Sequence, residues 1–181
     1  MSITGALILG FFATVWWVIG LRAAGHGAAV VYPVPIVVAA AIGFAAWRQG
    51  RRGDVGEVED AGEKARRDRL VGWASAGEGI AIFIAANVLV NTGHRGAVAS
   101  AVAIIVGAHF VPLARGLPAP AYYGTAGVLV LLGLAGLAIP DPALRLTVVS
   151  AGAAAVLWLT AVSALRRAGQ PSAMALRPPA S

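Results

Sequence analysis

Two side chains in this sequence stand where polar chemistry is hard to avoid. Glu78 lies inside the apolar run LVGWASAGEGIAIFIAANVLVN, from Leu70 to Asn91, and His109 lies inside the next run, from Ala97 to Ala114. An ionised group within a bilayer costs about 2.5–3.5 kcal/mol or more unless it is paired, neutral or wet. Glu78 is eight residues from the start of its run, so about 12 Å deep at the rise of a helix. His109 is five residues from the end of its run, so about 8 Å deep. On consecutive antiparallel helices the two groups share one depth at one end. The spacing predicts an intramembrane Glu–His pair that either holds a proton or a ligand, or latches two helices together. Gly77 and Gly79 flank the carboxylate and leave room for a ligand or another helix. Pro112, three residues after His109, lacks an N–H and frees a carbonyl nearby. Tyr122 and Tyr123, at the start of the following run, complete the supporting set and read as interfacial anchors.

Other chemistries are poorly represented. There are no cysteines, which excludes disulfides, thiol nucleophiles and thiolate-held clusters. His26 and His94 fall in loops beside Arg22 and Arg95, with no spacing that supplies further metal ligands, so no metal site is expected. The chain has no phosphate loop, nucleophile elbow, H-E-x-x-H or dinucleotide fingerprint, and no cofactor is expected. Lys64 is the sole lysine and lies outside every apolar run, which excludes a retinal Schiff base. Asn87 and Asn91 are one turn apart and are expected to bond to neighbouring helices. Glu78 and Asn87, nine residues apart, fall on nearly opposite helix faces and form no common site.

The elements that position these groups follow from composition. Of 181 residues, 59% are hydrophobic and 12% charged, whereas soluble domains run near about 25% charged. One soluble core of this size cannot hide that surplus, so lipid must be the solvent for much of the chain. Six runs approach the length of a spanning helix: Ile3–Leu21, Ala28–Trp47, Leu70–Val90, Ala97–Ala114, Ala121–Ile139 and Leu146–Leu165. Helix is the economical form in lipid, because each backbone group is satisfied within its own segment. The expected fold is therefore all-α, an integral membrane bundle of six transmembrane helices over residues 1–165. Nothing basic precedes the first run, which reads as a retained span and not as a cleaved signal. Pro33 and Pro35 predict that the second helix starts late, near Pro35. Ala99, Ala103 and Gly107, Gly133 and Gly136, and Ser150 and Ala154 are small residues suited to close helix packing.

Charge orients the bundle. Eleven Lys and Arg fall in the loop between runs two and three, at Arg115 and in the C-terminal tail, against three at Arg22, Arg95 and Arg145. The positive-inside rule puts both termini in the cytoplasm, consistent with an even number of spans. The net charge of +6 resides at the ends of apolar runs, a topology pattern and not a nucleic-acid footprint. Trp16 and Trp17 fall near the outer end of the first run, as interfacial anchors. In the segment Arg48–Arg69, Asp54 and Glu57 resemble a capping box, and Asp60–Lys64 and Glu63–Arg67 are spaced i, i+4. A charged cytoplasmic helix over about 55–69 is expected, able to run on into the third span. Residues 166–181, with Pro171, Pro178 and Pro179, are expected to form a disordered cytoplasmic tail.

The stretch GAHFVPLARGLPAPAYYG, Gly107 to Gly124, resembles stretches of small bacterial multi-span membrane proteins of unknown function. The resemblance covers the fourth and fifth runs and carries no activity. The expected location of the chain is the cell inner (plasma) membrane, as a multi-pass protein. Three functions are compatible with so small a polar inventory. The first is a small transporter or permease component, with Glu78 and His109 handling a proton or a cationic substrate. The second is an accessory or structural subunit that contacts a partner through the charged segment. The third is an intramembrane enzyme on a lipid or isoprenoid-like substrate, with protonated Glu78 as general acid, against which stands the lack of a second acid in any span. The expected partners are the lipid bilayer and a second membrane protein or further copies of the chain.

Overall fold

The computed structural model describes residues 3–25, 27, 32–51, 60–117 and 119–168. Among these the chain is all helix: α1 Ile3–Ala23, α2 Pro33–Arg51, α3 Ala61–Asn91, α4 Val98–Gly116, α5 Ala121–Leu137 and α6 Pro142–Ala168, with a short 3-10 turn at Arg95–Ala97. Four helical stretches are long and apolar enough to cross a membrane: Gly5–Ala23, Ala61–Asn91, Arg95–Gly116 and Pro142–Arg166. The apolar parts of α2 (Pro33–Ala45) and α5 (Ala121–Leu137) are shorter.

Helix ends sit where local chemistry stops or starts them. Pro33 opens α2, two residues ahead of the start expected near Pro35. A missing N–H costs nothing at a first helical position. Pro142 likewise opens α6, and Asp141 accepts from the amides of Ala143 (3.3 Å) and Leu144 (3.0 Å). Arg145 reaches back to the Ile139 carbonyl from Nε at 2.9 Å, tying the turn between α5 and α6. At the end of α3, Gly93 takes φ +82°. His94 N–H then bonds the Leu89 carbonyl (2.7 Å) and Gly93 N–H the Val90 carbonyl (3.3 Å), the pairing of a Schellman stop. The charged segment and the third span form one helix, since α3 runs unbroken from Ala61. The Asp54–Glu57 box, residues 55–59 of the charged segment and the tail from 169 lie outside the described residues.

Consecutive helices that touch pack antiparallel, and α6 also packs on α2 and α4. α6 is the hub, with its largest interface on α1 and further contacts to α5, α4 and α2. α4 and α5 form the other extensive pair, α3 packs on α4, and α2 packs on α1 and α6. Gly20, late in α1, faces Thr147 and Ser150, early in α6. Gly116, ending α4, faces Leu70 on α3. Arg22 donates to the Tyr32 hydroxyl at 3.2 Å, joining the end of α1 to the start of α2.

Small residues make these contacts. Ala13, Ala103, Ala154 and Ala161 are fully buried, while Phe11, Phe83, Leu131 and Leu159 are largely exposed. A Cβ on Gly107 would lie 2.9 Å from the Ala126 carbonyl, and one on Gly133 would lie 2.6 Å from the Ser100 carbonyl. Backbone therefore meets backbone along the α4–α5 seam, the way helices associate when lipid removes the hydrophobic drive between them.

One aromatic expectation needs correction, at Tyr122. Trp16 and Trp17, late in α1, are partly buried. Both pack on core residues, and Trp17 meets Trp158 at 5.5 Å between ring centroids. Tyr122 is buried, because it shares a face with Thr125, Ala126 and Leu129 one and two turns on, whereas Tyr123 is exposed.

The seam predicts a sharp contrast between glycines of one helix. Gly133→Ala should lower the unfolding midpoint in detergent, at a cost of about 1–3 kcal/mol for overpacking. Gly127, with nothing within 4 Å of a Cβ, should accept alanine unchanged or with a gain of up to about 1 kcal/mol. SDS-titrated unfolding of the two variants measures the difference.

Candidate functional site

The ionisable pair forms on the seam between α3 and α4. Each helix supplies one group, and the antiparallel connection through Gly93 and the 3-10 turn sets their level. Nδ1 of His109 stands 3.5 Å from Oε2 of Glu78, with the side chains 10% and 21% exposed respectively. The same nitrogen lies 3.2 Å from the carbonyl oxygen of Ala74. Ala74 and Glu78 are one turn apart on α3, so the imidazole lies across that turn. The shorter contact selects the tautomer: with Nδ1–H donating to Ala74, Nε2 keeps its lone pair in the neutral ring. A second proton converts the ring to imidazolium, and Glu78 is then its counter-ion.

The ring's other side is aromatic. His109 meets Phe110 edge-on at 5.9 Å, and Phe110 meets Tyr122 edge-on at 5.2 Å. Tyr122 thus buttresses the site through Phe110. Pro112 lies one turn below His109, and α4 continues through it to Gly116. The hydrogen bond of His109 goes to a carbonyl of α3. Gly77 and Gly79 are exposed, and no described residue lies within 4 Å of a Cβ placed on either. Tyr123 faces outward.

The remaining polar residues stand apart. Asn87 is exposed and donates to the Phe83 carbonyl of its own helix at 2.8 Å. The expected bond to a neighbouring helix is replaced by one within α3, because Asn87 is exposed and faces no other described helix. His94 sits in the turn after α3, 3.2 Å from the Thr92 hydroxyl, and His26 lies outside the described residues. No group of three or more metal-ligating side chains occurs among the described residues. Sequence reasoning passed over the Ala74 carbonyl, a backbone group with no sequence signal. It also passed over a buried hydroxyl pair, Thr125 and Thr160, 2.7 Å apart between α5 and α6. Thr160 shares its run with Thr147, Ser150 and Ser163, so composition alone does not single the pair out.

No family model, curated protein or solved structure matches this chain.

A double-mutant cycle tests the pair. Glu78→Gln and His109→Asn should be non-additive in unfolding free energy, with a coupling of about 0.5–3 kcal/mol as for residues in direct contact. A pair that did not interact would give additive effects.

Proposed function

We propose that this chain is a six-span protein of a bacterial inner membrane, a small transporter or permease component, with both termini in the cytoplasm. Its Glu78–His109 pair is the group that takes up and releases a proton or binds a cationic substrate. The observation that carries this reading is the 3.5 Å approach of carboxylate and imidazole on an apolar seam. A hydroxyl or amide would join two helices without the cost of ionisable groups in lipid. When Nε2 takes up a proton, the carboxylate beside Nδ1 balances the charge of the imidazolium. Glu78, the more exposed of the two, is the entry point, and the open space at Gly77 and Gly79 admits water or a small cation beside it.

Six spans are supported by the alternating direction of the helices. The 17 residues of α5 rise about 26 Å, close to the roughly 30 Å of a hydrocarbon core. The basic residues support the orientation, with eleven at one end and three at the other. Six spans are few for a transporter acting alone, so an oligomer or a membrane partner is part of the reading. The long α3, which buries none of its residues within the chain, is the face that such a neighbour covers.

An accessory subunit is the second reading. It is favoured by the charged stretch from Asp60 to Arg69, which is almost wholly exposed and extends α3 beyond its apolar part. An enzyme acting on lipid has less support. Besides Glu78, the described carboxylates are Asp60, Glu63 and Asp68 in the exposed charged stretch of α3 and Asp141, which caps α6 at the opposite end of the bundle.

Flux separates the readings. Purified protein in liposomes loaded with a pH-sensitive dye is exposed to an imposed potential. Wild-type protein should acidify or alkalinise the lumen faster than empty liposomes, and Glu78→Gln should remove most of that excess. Equal flux through wild type and Glu78→Gln would remove the proton-handling role and leave the accessory reading.

A further inference from the structure

On the far side of the bundle from α3, the helices α2 and α6 enclose a groove of about 360 Å³, within the usual range of about 300–1,000 Å³ for ligand pockets. Val37, Ala41 and Ala45 line it from α2, and Val162 and Leu165 line it from α6. Ile42 forms its floor, buried where it reaches Gly10 of α1. Every lining side chain is apolar except one, Arg166, in the last turn of α6. Arg166 is exposed, and no carboxylate among the described residues lies within ion-pair reach of it. Arg48, within one turn of Ala45 on α2, adds a second positive charge at the same end, its guanidinium over the Phe44 ring at 5.9 Å.

This arrangement differs from a plain lipid-facing surface in being concave and in carrying charge at one end. A hydrocarbon groove ending in an unpaired guanidinium complements an amphiphile with an anionic head. Within a bilayer that amphiphile is an anionic phospholipid. One acyl chain follows α2 from Ala45 to Val37, about 12 Å of helix, and the phosphate meets Arg166 at the interface, where arginine binds phosphate in two-pronged fashion. A zwitterionic lipid fills the groove equally well but gains less from the charge.

We propose that the α2–α6 groove binds one anionic diacyl phospholipid, with Arg166 holding its phosphate. The site shares no residue with the Glu78–His109 pair, so it stands whether or not that pair handles protons.

Native mass spectrometry of the purified chain in mild detergent, with equal amounts of dioleoyl phosphatidylglycerol and dioleoyl phosphatidylcholine, tests it. Wild-type protein should retain one phosphatidylglycerol in preference to phosphatidylcholine. Arg166→Gln should reduce that preference about fivefold, as expected for one basic side chain at an anionic membrane surface. Ala41→Phe, which fills the groove and leaves Arg166 in place, should reduce retention of both lipids. Arg69→Gln removes an exposed arginine of α3 outside the groove and should change neither. Equal retention of the two lipids by wild type, equal effects of Arg166→Gln and Arg69→Gln, or full retention in Ala41→Phe would each overturn the proposal.

Discussion

Close approach of backbones at small residues is the constraint on which the rest of this structure depends. Lipid is as apolar as leucine, so burying leucine between two helices gains little over leaving it in the bilayer. What remains is dispersion, and dispersion rewards surfaces that touch over many atoms. Gly107 and Gly133 let α4 and α5 touch along their backbones, and Gly20 does the same between α1 and α6. Ala153, Ala154 and Ala161 keep α6 slim enough to serve as a hub for four neighbours. The large side chains that would fill a soluble core, Phe11, Phe83 and Leu159 among them, point outward.

That packing creates a difference between the two sides of the candidate site. His109 rides on α4, which is locked against α5 and touches α6. Glu78 rides on α3, which is held to the bundle through α4 and the turn at Arg95–Ala97. The contacts of His109 with Glu78 and with the Ala74 carbonyl are therefore polar ties on the interface that holds α3 to the bundle. A change in the protonation of either group alters the attraction across that seam directly. The proposed proton-handling role would rest on this coupling of charge to helix contact.

Much of the fold was legible because continuous apolar runs admit few alternatives in lipid. Pro33 and Pro142 open helices, as prolines do at first positions. The meeting of Glu78 and His109 followed from matched depth on consecutive antiparallel helices. Helix phase was not legible. Positions facing lipid and positions facing protein are both apolar here, so no amphipathic stripe marks the buried face. Tyr122 thus reads as an interfacial ring in the sequence but lies in the core, and Asn87 reads as a link to a neighbour but bonds within α3. The role of α6 as hub was hidden for the same reason. Its buried residues at Val149, Ala153, Leu157, Ala161 and Leu165 recur every fourth position, but the positions between them are nearly as apolar.

The most direct measurement of the central claim is solid-state NMR on isotope-labelled protein in bilayers. The claim is that Glu78 and His109 are in contact within the membrane-embedded bundle. A through-space correlation between the Glu78 carboxyl carbon and the His109 Nδ1 nitrogen reports that contact without a substitution. The account predicts a cross-peak that disappears in Glu78→Ala, alongside a His109 Nδ1 shift typical of a hydrogen-bonded N–H. A resolved His109 signal with no transfer to the Glu78 carboxyl carbon would contradict it.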